Sequence, residues 1–390
     1  MRPRIAVIAP FFSFSVRANR PAFVANVLSE FGEVEIITTD LDHQTKKRIE
    51  VQPGSQPYHV HFISALSYGS NVSVSRFLSH IIFGLKAGWF FWRQRASYDI
   101  VYTTLPFNLA TWLVLLASSG KARIVDVIDI WPDVLPFPPI VRRVLYPLFW
   151  LWKHLFITSI RRATVLLAVS NSFLDEARRY ILDKTTTCHM FYIGHRALPR
   201  STVPQEEMLT ISYVGNIGHL YDFKTLIDVL SLKEFKERVQ LFVIGAGDRK
   251  DWLLDELKRR RIWHQYFGIV YNLEELGSIL RRTHVGFNGY VNTNAAFSYK
   301  ASTYFSAGLP ILNSMGGDLR NLVNSQKLGI NYEGGNVESL RQALSECTPD
   351  NLMRMSKAAE AFARTELEVL GLKRRMTDFF LQTLQSASVQ

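Results

Sequence analysis

The second half of the chain repeats one pattern that few architectures accommodate. A short β-type apolar run ends in a glycine-bearing turn, and a segment with helical periodicity follows. Leu209–Val214 runs into Gly215-Asn216-Ile217-Gly218 and then a helical stretch through Leu226 and Leu230. Val239–Ile244 runs into Gly245-Ala246-Gly247 and a helical stretch over residues 250–260. Further strand-like runs at 266–270 and 285–287 flank a helix at 273–282. Apolar strands alternating with helices build a parallel sheet covered on both faces. The first half opens the same way, with an apolar run at 4–9, helical periodicity through Phe23, Val27 and Leu28, a stop at Gly32, and the alternating strand Glu33–Thr39. Strand-like runs at 100–104, 123–130 and 165–169 continue it, while residues 50–75 show no readable pattern.

The length of 390 residues is about twice that of a usual domain, which predicts two domains of comparable size. The boundary is placed in GHRALPRSTVPQEEM, residues 194–208, where two prolines and polar residues interrupt the periodicity. We therefore divide the chain into 1–197, 198–370 and a final helical segment, 371–390. Both main parts read as α/β domains built on a parallel sheet.

In open parallel sheets, ligands bind outside the carboxyl ends of the strands. The glycine turns after Val214 and Ile244 are thus expected to face the same crevice as the start of the next helix, in SYKASTYFSAGLP, residues 298–310. There Ser298 suits an N-cap, Gly308 the left-handed position after the helix, and Pro310 prevents continuation. The first turn carries the positive end of the helix dipole with Lys300 beside it, an arrangement suited to a phosphate. An ordinary capped helix with a solvated lysine is the alternative. The first strand–helix connection, PFFSFSVRANRP, has no GxGxxG and carries Arg17 and Arg20 instead, which argues against a nicotinamide-dependent oxidoreductase. Asp40-Leu41-Asp42 has the spacing of a metal-binding DxD, but paired acids after a strand are common, and no metal is expected.

Charge is unevenly distributed. Residues 1–200 hold 23 Lys and Arg against 13 Asp and Glu, about +10 of the net +11. Two segments concentrate it: 77–95, FLSHIIFGLKAGWFFWRQR, and 141–162, VRRVLYPLFWLWKHLFITSIRR. Each interleaves cations with Leu, Phe and Trp at helical spacing, which suits an anionic membrane surface or a core helix with solvated ends better than a nucleic acid. No apolar run reaches the roughly 18–20 residues needed to cross a bilayer. The opening MRPRIAVIAPFF has too short an apolar stretch for a signal-peptide core. Two cysteines, Cys188 and Cys347, exclude a disulfide framework and fit a reducing compartment. A cytoplasmic protein, peripheral on the inner face of the cell membrane, is expected.

Several motifs in fixed order resemble the family-4, GT-B-fold glycosyltransferases: YVGNIGHLYDFKTLIDVL, FVIGAGDRKDWL, YFGIVYNLEELGSIL, SYKASTYFSAGLPIL and LGINYEGGNVESLRQAL. In the first half DIWPDVLP is similar to the aspartate-leucine-tryptophan-proline motif of bacterial members that build surface polysaccharide (O-antigen, capsule, exopolysaccharide) on polyprenyl-diphosphate carriers. The resemblance spans nearly the whole chain. It implies a GT-B fold, two Rossmann-like domains facing a cleft, with a nucleotide-sugar donor on the second and a lipid-linked saccharide acceptor on the first. It further implies a last helix crossing back to the first domain, a retaining reaction, and neither metal nor cofactor. Carried over by position, Gly215, Asn216, Gly218, Gly245, Gly247, Ser298 and Lys300 fall at the donor, Asp129 is the catalytic candidate, and Trp131, Arg17 and Arg20 lie on the acceptor side. Members usually carry an acidic residue where this chain has Thr303, expected toward the donor ribose, and HLYDFK departs from the usual basic loop, with Lys224 shifted toward the following helix. Those departures motivate an alternative, a non-catalytic GT-B-like assembly subunit without donor binding.

Overall fold

The computed structural model describes residues 2–10, 12, 19–43, 47–49, 56–69, 73–133, 137–198, 208–291 and 297–387. It divides into two compact units, Met1–Tyr192 with Lys373–Gln390, and Ile193–Leu372.

The first unit comprises β1 (Arg4–Ile8), α1 (Arg20–Leu28), β2 (Glu33–Thr39), β3 (His59–Ile63), α2 (Val74–Gln94), β4 (Ile100–Leu105), α3 (Asn108–Leu116), β5 (Ala122–Val127), α4 (Pro139–Val144), α5 (Tyr146–Ile160), β6 (Val165–Ala168), α6 (Asn171–Arg178) and β7 (Thr187–Met190). Its seven strands are all parallel in the order β3-β2-β1-β4-β5-β6-β7. Ile5 of β1 pairs with Val34 on one side and Ile100 on the other. All six residues of β4 are buried, as a sheet covered on both faces requires. On one face α2 packs against α3 through Gly84 and Gly88; a β-carbon on Gly88 would lie 2.8 Å from that of Leu113.

The second unit comprises β8 (Leu209–Val214), α7 (Phe223–Leu230), β9 (Val239–Ile244), α8 (Lys250–Arg259), β10 (His264–Gly268), α9 (Leu273–Leu280), β11 (Val285–Asn288), α10 (Tyr299–Ser306), β12 (Ile311–Asn313), α11 (Gly317–Gln326), β13 (Gly329–Asn331), α12 (Val337–Ser345) and α13 (Pro349–Phe362). Its sheet is also wholly parallel, in the order β10-β9-β8-β11-β12-β13. Each sheet therefore reverses direction of growth once, between β1 and β4 and between β8 and β11. These are the topological switch points at which such sheets open a crevice.

The last helix, α14 (Val369–Ala387), begins in the second unit, and its residues from Lys373 belong to the first. There Lys373 Nζ pairs with Glu30 at 2.7 Å, and Phe380, fully buried, meets the edge of Phe31.

Two differences from the sequence reading have simple causes. The single helix expected over 141–162 is broken at Leu145 into α4 and α5. Pro147 lacks an N–H and tolerates only the first turn of a helix, so the helix restarts there. The edge strands β3 and β7 escaped the periodicity because Ile63 is the only buried residue of the two.

Candidate functional site

The crevice of the second unit is built where β8 and β11 part. Gly215, directly after β8, has φ +135°, a conformation that glycine adopts without strain. Gly245, after β9, has φ +136°, and a β-carbon there would fall 1.9 Å from the Gly215 carbonyl oxygen. Gly247 approaches the Ile217 backbone as closely, and the Ile217 N–H donates to the Ala246 carbonyl at 2.8 Å. The two glycine turns thus form one layer of closely apposed backbone. Asn216 is exposed on it, and Gly218 lies beside Asn216 and Asp248.

Lys300 runs along this layer. A β-carbon on Gly215 would meet its Cδ at 3.3 Å. Its amine lies over three tyrosine rings, 3.7 Å from the centroid of Tyr221, 4.7 Å from Tyr290 and 5.4 Å from Tyr213. Lys300 is 9% exposed, and no described residue hydrogen bonds to its amine or pairs with it. Burial alone pushes its pKa down to about 7. The rings are fixed by their own contacts. Tyr221 and Tyr290 form an isolated antiparallel bridge, and the Tyr290 hydroxyl lies 3.3 Å from Ser298 Oγ.

Ser298 occupies the N-cap position of α10, as expected, but its hydroxyl does not cap the helix and faces Tyr290 instead. Gly308 has φ +72°, the left-handed turn anticipated after the helix. Thr303 is placed differently from the expectation of a hydroxyl turned to a ribose. It is buried, and its Oγ1 lies 3.2 Å from both the Tyr299 carbonyl and His195 Nε2. His195 Nδ1 is 2.7 Å from the Arg196 carbonyl, so in the neutral ring Nδ1 carries the proton and Nε2 is an acceptor that shares with the Tyr299 carbonyl the single proton of the Thr303 hydroxyl. His195 and the tyrosine cage were missed in the sequence. Two of the tyrosines carried a weak signal, Tyr213 at the end of β8 and Tyr290 just after β11, while Tyr221 stands in the loop before α7. His195 carried none, since it lies in the stretch assigned to the interdomain boundary.

In the first unit, Asp129 follows β5. Its Oδ1 accepts from the Ile130 N–H at 2.9 Å and its Oδ2 from the Trp131 indole N–H at 2.8 Å. Burial raises its pKa, opposed by these two bonds and by Arg76. The Arg76 guanidinium sits 4.9 Å from the Trp131 ring centroid, and His80, one turn along α2, stacks nearly parallel to the same ring. His80 is buried and pushed down to about 3, by desolvation first and then by Arg76 and His43, so it is neutral.

Arg20 requires a correction. It was expected in an acceptor-side loop, yet it heads α1 and is 4% exposed. Its Nε and Nη2 donate to Asp126 Oδ2 (2.5 Å) and Oδ1 (3.0 Å), and its Nη1 donates to the Phe191 carbonyl. The Tyr102 hydroxyl donates to the same carboxylate. Arg20 is thus a structural cation in the core. Arg17 lies outside the described residues. Asp40 of the DxD is paired with Arg48 and accepts from the Ala65 N–H. Among the described residues no group of three or more His, Cys, Asp or Glu is placed to hold a metal ion.

No family model matches the sequence, and no curated protein does. Solved structures do match over the whole length. Sucrose-phosphate synthase of Thermosynechococcus elongatus aligns with a TM-score of 0.71 at 13% identity, covering 99% of this chain and 100% of its own. HepE of Anabaena in complex with UDP aligns at 0.68 and 13%, covering 97% and 100%. The apo lipopolysaccharide outer core galactosyltransferase WaaB aligns at 0.65 and 17%, covering 97% and 99%. At these identities the likeness shows the fold: two Rossmann-like parallel-sheet units, as in the GT-B glycosyltransferases.

Proposed function

We propose that this protein is a glycosyltransferase of the family-4 type. It moves a sugar from a nucleotide-sugar donor to a polyprenyl-diphosphate-linked saccharide in bacterial surface polysaccharide assembly, without metal and with retention of configuration. One observation carries the reading: a nearly buried lysine without a carboxylate partner among the described residues, set beside two glycine turns and the first turn of α10 at a switch point. A cation so placed lacks counter-charge, and a diphosphate supplies it. The solved structures of similar fold support the donor class, since HepE was crystallised with UDP and with UDP-glucose.

On the first unit, Asp129 is the group for the acceptor. For retention, the acceptor oxygen bonds to the anomeric carbon on the face from which the diphosphate departs, that carbon's bond to the diphosphate breaks with its electron pair going to the diphosphate, and the hydroxyl proton passes to Asp129. A carboxylate with a raised pKa is the better base for this, and the bonds from Ile130 and Trp131 keep it oriented. The acceptor's lipid carrier brings the enzyme to the inner face of the cell membrane. Two surfaces suit that: α2, with exposed Leu85, Trp89 and Trp92, and α4–α5, with exposed Ile140, Val144, Tyr146 and Trp150. Cations stand among them, and neither 74–98 nor 134–174 contains an Asp or Glu. No helix among the described residues is long and apolar enough to cross a membrane.

The test is incubation with a panel of nucleotide sugars and lipid-linked saccharide acceptors. Release of one nucleotide with transfer of its sugar is expected, and loss of transfer in Asp129→Asn. The second reading, an assembly subunit without donor binding, is favoured by Thr303, whose hydroxyl is already held by His195. Thermal shift with nucleoside diphosphates separates the two: stabilisation by one base supports the enzyme, and silence across all bases supports the subunit.

A further inference from the structure

The lysine in the second-unit crevice is held in an unusual way, by aromatic faces where most buried ammonium groups have a carboxylate. Among the described residues, the groups around it come from several elements. From β8 it meets Tyr213, and from the loop before α7 it meets Tyr221. In that loop the exposed His219 has its Nε2 3.6 Å from Oδ2 of Asp248, which lies in the turn after β9. The buried Asp222 accepts from the Thr225 and Tyr332 hydroxyls and the Gly335 N–H. Past the end of β11 stands Tyr290. On α10 itself Tyr304 accepts from the Val214 N–H and donates to the Ser212 carbonyl, and the Tyr299 ring packs at a tilt against His195. Burial raises the pKa of Tyr213, Tyr221, Tyr290 and Tyr304 alike, so none is a phenolate that could serve as counterion. Neither carboxylate pairs with the Lys300 amine.

We infer that Tyr213, Tyr221 and Tyr290 are positioning residues that hold Lys300 as a charge-variable ligand, so that the diphosphate of the donor enters this crevice together with one proton from solvent. This rests on the reading that Lys300 faces the donor. Two opposing effects set the charge of the empty site. Desolvation drives the amine toward neutrality, pushing its pKa down to about 7, while each ring face favours the ammonium. When a diphosphate arrives, its negative charge overrides desolvation, the amine takes up a proton, and the ammonium bonds to phosphate oxygen. Binding is then proton-linked: affinity falls as pH rises above the pKa of the empty site. A carboxylate-paired lysine, charged throughout, would show no such linkage near neutrality.

The experiment is calorimetric titration of the full chain with UDP-glucose and with GDP-mannose, whose diphosphates do not titrate in this range, in buffers of different ionisation enthalpy. Uptake of about one proton per site is expected at about pH 8.5, falling to about a tenth at about pH 6. Lys300→Arg, which cannot lose its charge, should bind without uptake. Tyr221→Leu should move the midpoint of uptake to lower pH, and Tyr221→Phe, which keeps the ring, should restore it. Binding with buffer-independent heat at both pH values overturns the inference and leaves the donor reading standing. Silence with every nucleotide sugar overturns both. Trace acetylation of the ligand-free protein decides the cage by itself: a reactivity midpoint for Lys300 near neutrality is expected, and one at about 10, an ordinary lysine, overturns it.

Discussion

At the scale of single residues, Arg20 and Lys300 are two cations held in the interior by opposite means. Arg20 is paired with Asp126, which is fully buried, and removing one partner leaves the other charge stranded. Arg20→Met is expected to cost about 3–5 kcal/mol in urea unfolding, while Arg20→Met with Asp126→Leu should recover much of that. A single-mutant cost near that of a surface change would contradict the buried pair. Lys300 has no such partner among the described residues, and its pKa of about 7 lies below that of a lysine in an unfolded chain. Between the two values the unfolded state binds more protons, so stability rises with pH through this window, and below it the full burial penalty applies. Lys300→Met should therefore be more stable than the parent at about pH 6, by about 1–4 kcal/mol after allowance for the ring faces, with a flatter pH dependence up to about pH 10. Chemical denaturation at several pH values checks this, and equal or lower stability of the variant at low pH would refute it.

Among the elements, α2 shows how one helix serves packing and exposure together. Its inner face carries Phe83, Ala87, Phe91 and the two glycines that admit α3, and its outer face carries Leu85, Trp89 and Trp92. Trp89 and Trp92 are 60% and 53% exposed, each with a guanidinium over its ring, from Arg93 and Arg95. Replacing both tryptophans by alanine should leave the melting temperature nearly unchanged and reduce flotation with anionic vesicles several-fold. Wild-type binding should weaken in high salt. Undiminished flotation of the double variant would remove α2 from the membrane proposal. Gly88→Leu should do the reverse, separating α2 from α3 and lowering stability by about 1–3 kcal/mol or more, read by urea unfolding. The periodicity of 77–95 disclosed the helix and its aromatic end. It left open which face was buried, because aromatic residues occur on both.

For the whole molecule, the informative feature is that the first unit is discontinuous. Met376 and Phe380 of α14 are fully buried in it, and Phe379 packs on His189 and Phe191. Phe380→Ala should cost about 3–5 kcal/mol, with hydrogen exchange rising in β1 and β2 and unchanged in β8 and β9. Exchange rising equally in both units would show that they unfold together. Much of the architecture was readable in the chain because parallel α/β units write themselves locally, in buried strands about five residues long followed by turn residues and a helix. The edge strands β3 and β7 were not, since a half-exposed strand loses the apolar run that marks the central ones.

The sequence by itself determined the strand–helix alternation, the two-unit organisation, the glycine turns at Gly215 and Gly245, and the start and stop of α10. Each of these depends on near neighbours: periodicity, a missing β-carbon, a missing N–H. Only the tertiary structure decided what those elements surround. Arg20, read as a loop cation, became a core ion pair because Asp126 lies on a strand more than a hundred residues away. Thr303 met His195, and Lys300 met tyrosines from three separate segments. The charge and reach of a side chain are set by the dielectric and the partners around it. Those are assembled only when β8 and β11 come together.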